Sequence, residues 1–383
     1  MTKAFQTKIL MLFIFALIVN GCAAVKHRTP LPETLSLMAG VPGISKARFW
    51  GDEPVPDTKE WLKLPKAELK ATYPALFGVP HTYLAISGGG ANGAFGAGLL
   101  LGWTARGDRP EFNIVTGVST GALTAPFAFL GSDYDAQLKE VYTTVSTRDI
   151  VRKKPLLKIL TGDSAASAEP LQNLLAKYVD REMMLAIAAE HRKGRRLWIG
   201  TTHLDAGRPM VWNIGSIAAS GDDKALDLIR KILLASASIP GAFPPVFFEV
   251  EADGARYDEM HVDGGAASQV FLYPTGVDWS RLVDKLEVII PPSAYVIRNS
   301  SLHPQWQTIE PKLAPIAGRT IDSLIRTQGL GDMYRIYLSA VNEGIDFNLA
   351  TIPGDFKLKP KEPFDPEYMQ KLFDLGFRMA QSG

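Results

Sequence analysis

Apolar and polar positions along this chain fall into two kinds of run. Short apolar runs bounded by turn residues read as buried strands, and segments with apolar residues three and four apart read as helices. Residues 82–86 and 112–116 are strand-like, and each is followed by a glycine-rich turn and an apolar helix, at 94–103 and 122–130. The first helix is expected in spite of Gly96, Gly98 and Gly102. Apolar faces predict helices at 171–179 and 183–189, with Met183 and Met184 in the core or lining an apolar pocket. Residues 256–262 read as a strand after a turn at Asp253-Gly254, and 285–290 as another. Residues 311–343 are helix-rich, with Ile321, Leu324, Ile325 and Leu330 at helical spacing. Asp365 and Pro366 suit the start of a last helix whose apolar stripe is Tyr368, Leu372, Leu375 and Met379. This pattern gives one α/β domain over 82–383, its end a helical extension.

The N-terminal run, residues 9–19, is about half as long as a membrane-spanning helix requires. Lys3 and Lys8 precede it, and it ends in Val19-Asn20-Gly21-Cys22. A basic start, a short apolar stretch and small residues read as a secretory signal over 1–21. Its end resembles a bacterial lipobox, which implies that Cys22 becomes the lipid-bearing first residue of the mature chain. Ala23-Ala24, with no aspartate after the cysteine, implies an outer-membrane destination. Residues 22–81 are proline-rich and read as a tether, with Phe49, Trp50, Trp61 and Tyr73 available to pack on the domain.

Composition narrows the chemistry. With 41 Lys plus Arg against 40 Asp plus Glu, the net charge is +1, which gives no electrostatic case for nucleic acid. The single cysteine, Cys22, excludes an intrachain disulfide and cysteine-rich metal centres. No H-E-x-x-H, P-loop or EF-hand spacing occurs, so no metal or nucleotide cofactor is expected.

Candidate chemistry begins at Ser87-Gly88-Gly89-Gly90-Ala91-Asn92-Gly93. A strand, a glycine loop and a helix N-terminus aim backbone N–H groups at an anion. That anion is either a dinucleotide pyrophosphate, since Gly88-x-Gly90-x-x-Gly93 fits the dinucleotide pattern, although Asp108, at the offset of its acidic residue, sits in a turn-like stretch and not at a strand end, or a transient oxyanion. Gly117-Val118-Ser119-Thr120-Gly121, between a strand and a helix, has the form of a nucleophile elbow. Ser119 then needs a base. Asp263-Gly264-Gly265 ends a strand, where α/β active sites form, although Asp-Gly is also a common turn. Ser119, Asp263 and His303 satisfy the order of a Ser-His-Asp esterase, and His203 and His261 read as ordinary strand-end residues.

Taken together, S-G-G-G-A-N-G, G-V-S-T-G and D-G-G resemble the patatin-like phospholipase family. Two scaffold segments agree: 235–245, before the Asp-Gly-Gly, and 197–207, similar to that family's strand and hairpin turn. The resemblance covers roughly residues 82–275, with 276–383 completing the domain. It implies a three-layer α/β/α sandwich around a mainly parallel sheet, and lipid acyl-ester hydrolysis. It further implies a Ser119–Asp263 dyad without histidine and an oxyanion hole at Gly88, Gly89 and Gly90. Asn92, Gly93, Gly117, Gly121, Gly264 and Gly265 support the motifs. A buried Asp263 with a raised pKa would then take the Ser119 proton. One departure is Asn92, where the family often has Arg or Lys. It motivates a second reading, a catalytically weak lipid-binding envelope lipoprotein. Lastly, Arg148, Arg152, Lys153, Lys154 and Lys158 interleave with Leu156, Leu157, Ile159 and Leu160. This segment is either a basic amphipathic surface for anionic lipid or a solvated helix or loop.

Overall fold

The computed structural model describes residues 28–272, 279–304 and 306–383. The expected signal and Cys22 lie outside them. Among the described residues, nine strands form one sheet. They are β1 (Arg48–Trp50), β2 (Thr82–Ile86), β3 (Ile114–Val118), β4 (Arg196–His203), β5 (Arg208–Asn213), β6 (Val246–Ala252), β7 (Ala255–Asp263), β8 (Ser293–Arg298) and β9 (Asp346–Thr351). The centre runs β4-β3-β2-β8-β9, and every pairing within it is parallel. β5 folds back antiparallel on β4, β1 pairs antiparallel with β5, and the β6–β7 hairpin joins β4 antiparallel.

Parallel strands buried on both faces carry near-continuous apolar runs, as β2 does. Among the helices that cover this sheet are α1 (Gly93–Arg106), α2 (Thr120–Leu130), α3 (Ala225–Ser236), α4 (Leu313–Asn342) and α5 (Pro366–Ser382). Leu84 and Ile86 face one core layer with Leu100, Ile229 and Leu372, from α1, α3 and α5. Tyr83 and Ala85 face the other, with Met333 and Ile336 from α4. The result is a mostly parallel sheet between two helical layers.

Glycine gives α1 its contact surface. A Cβ on Gly98 would lie 2.0 Å from the Phe373 carbonyl oxygen, and one on Gly102 2.2 Å from that of Phe377. Gly376 reciprocates, 2.2 Å from the Phe95 carbonyl. The backbones of α1 and α5 therefore meet with nothing between them. Asp365 caps α5 by accepting the N–H groups of Glu367 and Tyr368.

One expectation changes and another goes further than expected. Residues 285–290 are not a strand; the strand is β8, a few residues later. Glu287 has φ 58°, Ile289 is 87% exposed, and Pro291-Pro292 has no N–H to offer a ladder. The proline-rich stretch, from residue 28 on, is folded against the domain. β1 extends the sheet, and the Arg196 guanidinium bonds Asp57 at 3.0 Å while lying over the Trp61 ring. No helix among the described residues is long and apolar enough to cross a membrane.

Candidate active site

Two strands meet end to end on β4. Val118, the last residue of β3, pairs with Gly200, and Asp263, the last residue of β7, pairs with Thr201 from the opposite direction. Ser119 and Asp263 thereby come together across a break in the sheet. The turn between strand and helix is tight. A Cβ on Gly117 would sit 2.4 Å from the Gly121 carbonyl, and one on Gly121 2.2 Å from that of Ile86. Ser119 itself has φ 54° and ψ −124°, a strained conformation for a residue with a side chain. Its N–H donates to Ser236 Oγ at 3.0 Å, and Ser236 donates to the Gly200 carbonyl at 2.6 Å. Ser236, at the end of α3, thus ties the elbow to β4.

Asp263 is 5% exposed. Its Oδ1 accepts the Gly265 N–H at 2.7 Å, which also shapes the turn after β7. Oδ2 is buried and has no hydrogen-bond partner among the described residues. Burial pushes the carboxyl from its ordinary 3.8 up to about 6, and the Ser119 hydroxyl and Gly265 N–H oppose that rise by favouring the ionised form. The Ser119 hydroxyl acts on the carboxyl, yet no hydrogen bond between the two is formed here, a common state of catalytic pairs before substrate binds. The expected role of His303 finds no geometry here. That ring is exposed and packs beside Gly354, and no histidine among the described residues bonds Ser119 or Asp263.

The glycine loop lies directly over Ser119: a Cβ on Gly88 would be 3.3 Å from Ser119 Cβ. Gly89 and Gly90 have φ 153° and 56°. Gly88 donates its N–H to the Gln269 carbonyl at 3.1 Å, so that amide is already engaged. Those of Gly89 and Gly90 donate to nothing among the described residues. Gly93 admits Thr120, whose Oγ1 would be 2.2 Å from a Cβ there. Asn92 is half-buried and accepts the Tyr368 hydroxyl of α5 at 2.8 Å. Asp108, the acid of the dinucleotide pattern, sits exposed beyond α1, paired with Arg106.

Three supports were not seen in the sequence. Asn299, fully buried after β8, donates from Nδ2 to the Ser87 carbonyl at 3.0 Å and accepts the Gly96 N–H at 3.1 Å. Asp332 of α4 is buried and accepts the Gln269 N–H at 2.6 Å. The Gln269 side chain donates to the Gly265 carbonyl at 2.6 Å, joining the glycine loop to the Asp263 turn. The third support is a cluster of Glu259, His203 and His261, which have the residue types of a metal site. However, the Arg48 guanidinium takes both oxygens of Glu259. The Ala206 N–H donates to Nδ1 of His203, leaving Nε2 to carry the proton that faces Glu259. Burial keeps His261 neutral, with a pKa of about 4. The cluster is an ion-pair brace between β1, β4 and β7, the strand that ends in Asp263.

An apolar cavity of about 70 Å³ begins at Thr120, beside the nucleophile, and is lined by Leu123, Phe127, Leu171, Leu175 and Met369. A larger one, about 270 Å³, borders Val118, Gly200 and Gly264 but touches neither Ser119 nor Asp263, and Asp52, Asp332 and Arg335 bring charge to its wall. The first is the more apolar of the two. Met183 and Met184 lie in the core and do not line it.

A family model described as patatin-like phospholipase matches residues 84–275. A search of curated proteins returned no match. Among solved structures, the chain is similar to VipD from Legionella pneumophila, at 12% identity and a TM-score of 0.38 over 79% of this chain and 67% of that one.

Proposed function

The chain belongs to the patatin-like phospholipase family, and from that premise we propose that it is a lipid acyl hydrolase working through a Ser119–Asp263 dyad. Ser119 Oγ attacks the ester carbonyl and gives its proton to Asp263 Oδ2. The resulting oxyanion is held by the N–H groups of Gly89 and Gly90, beside the positive end of α2. Gly88 serves differently, with its N–H pinning the loop to Gln269. Asp263 returns the proton to the leaving alcohol, which departs as the acyl-enzyme forms. Water, deprotonated by the same carboxylate, then releases the fatty acid and restores Ser119.

The observation that carries this reading is the unpartnered, buried Oδ2 of Asp263 beside a hydroxyl on a strained turn. A carboxylate left without a partner, and raised toward neutral pH, is suited to accept a proton there. Turnover of a soluble ester and of a phospholipid is the test. Both Ser119→Ala and Asp263→Asn should lose about 10³-fold or more. Near wild-type turnover in Asp263→Asn would overturn the dyad.

Our reading extends to the N-terminus, where Cys22 is lipidated and anchors the enzyme in a bacterial envelope, at the outer membrane. Incorporation of a labelled fatty acid should disappear in Cys22→Ser, and that variant should leave the membrane fraction. Labelling that persists would show that Cys22 is not the acceptor.

A further inference from the structure

Ser119 lies at the carboxyl edge of the parallel strands, and two segments stand on that same edge with apolar side chains in solvent. The first is α4, whose 30 residues make about 45 Å of helix, against about 20 Å for β8. It connects β8 to the parallel β9, so its N-terminus points toward the carboxyl edge. Arg298, the last residue of β8, sets the level. Its Nη2 reaches the Arg326 carbonyl at 3.4 Å, and Gly329 lacks a side chain where that guanidinium sits. Residues 313–325 therefore extend about 20 Å beyond the rim. No described side chain between 313 and 328 is buried. Leu313, Ile316, Ile321 and Leu324 share one helical face, with Leu324 65% exposed, while Asp322 and Arg326 take the opposite face. Trp306, in the preceding connection, is 96% exposed.

The second segment is the short helix Leu156–Thr161, where Leu157 is 73% exposed beside Leu156. Lys153 precedes it and Lys158 lies within it, both exposed and without an ion pair among the described residues. The backbone holds this segment to the rim. Lys154 donates to the Ala165 carbonyl at 2.9 Å, and Ala165 to that of Gly241 at 2.8 Å. The same stretch places Ser238 against Asp263, whose N–H donates to its carbonyl at 2.9 Å. Ile239 is exposed between the two.

We propose that these segments form a docking rim for a lipid bilayer. Leu156, Leu157, Ile239 and the apolar face of α4 enter the boundary between headgroups and acyl chains, and Lys153 and Lys158 meet anionic headgroups. A folded protein partner is matched by one contiguous patch, whereas here separate apolar tips and lysines flank the edge where Ser119 opens. The inference rests on the reading that the substrate is a lipid ester, because docking brings that ester to the nucleophile.

The single cysteine makes a local test practical. In a Cys22→Ser background, an environment-sensitive fluorophore is attached at Leu324→Cys, Leu157→Cys or Asp322→Cys, and vesicles of phosphatidylethanolamine with phosphatidylglycerol are added. Labels at 324 and 157 should shift to the blue and be quenched by a nitroxide on the lipid chain, while the label at 322 does neither. Vesicles of phosphatidylcholine alone should bind about tenfold more weakly. The exposed substitutions Leu313→Ser, Ile316→Ser and Leu324→Ser together should lower vesicle hydrolysis about tenfold and spare a soluble ester. If the protein proves to hydrolyse no ester, the fluorescence result still stands by itself. Labels at 324 and 157 that stay in water on vesicle-bound protein would overturn the rim. So would labels already buried in a dimer without vesicles, which would make this face an interface between copies.

Discussion

Asp263 is held in a state that opposes stability. Its carboxyl, at about 6, lies above the ordinary 3.8, so the folded protein holds this proton more tightly than the unfolded chain. The stabilisation from that proton is complete below 3.8 and is lost as pH rises through about 6. Above that, the fold carries a buried charge with one unpartnered oxygen. Asp263→Asn should therefore be more stable than the parent near pH 8, on the order of 2–3 kcal/mol, and gain nothing near pH 4. Thermal unfolding at both values checks the sign, and equal gains at both would refute the buried charge. Activity should follow the opposite limb: kcat/KM rises through a pKa of about 6 and then levels, because only the ionised carboxylate accepts the Ser119 proton. Ser236 is the complementary case. Ser236→Ala removes the acceptor of the Ser119 N–H, which should cost about 1–3 kcal/mol of stability and lower kcat by up to about 10²-fold. Steady-state kinetics with an unchanged kcat would assign Ser236 to packing alone.

Helices and strands show which parts of the chain are readable locally. The strand–turn–helix units at Gly88–Gly90 and Ser119 were legible because their glycines answer to neighbours a few residues away, as Gly117 does to Gly121. The extended registers of β8 and of residues 285–290 were not distinguishable by periodicity, since both are short and apolar. The backbone of Glu287 and the prolines after Ile290 decide between them. The glycines of α1 looked like defects in a helix because their partner, α5, lies far along the sequence. This gives a paired prediction. Gly98→Ala places a methyl 2.0 Å from a backbone oxygen and should destabilise by about 1–3 kcal/mol or more. Gly331→Ala, in α4 with nothing within 4 Å, should stabilise by about 0.5–1 kcal/mol. Denaturant titrations of the two variants should move in opposite directions, and a neutral Gly98→Ala would mean that the α1–α5 contact is looser than described.

At the scale of the molecule, the motifs of the site lie within 84–275, but the residues that hold them do not. Asn299 reaches Ser87 across 212 positions, and Asp332 reaches Gln269 across 63. Such contacts leave no local trace in a sequence, because a single buried amide or carboxylate looks like any other until the fold brings it to its partner. Sequence alone therefore pointed to Ser119 and Asp263 but not to the frame around them. β8 makes the dependence plain. It lies between β2 and β9, pairing with Thr82–Ile86 along its length. A chain cut after residue 275 would lose that strand, leave the hydrogen-bonding edge of β2 open, and strip Met333 and Ile336 from Tyr83 and Ala85. It would also lose α5, against which Gly98 and Gly102 are fitted. The expected outcome is that residues 28–275 give no cooperative unfolding transition and bind no serine-directed fluorophosphonate, whereas the chain through residue 383 does both. A truncated chain that melts cooperatively and labels at Ser119 would mean that the matched segment is an autonomous domain, and that Asn299 and Asp332 merely reinforce a loop the motifs hold by themselves.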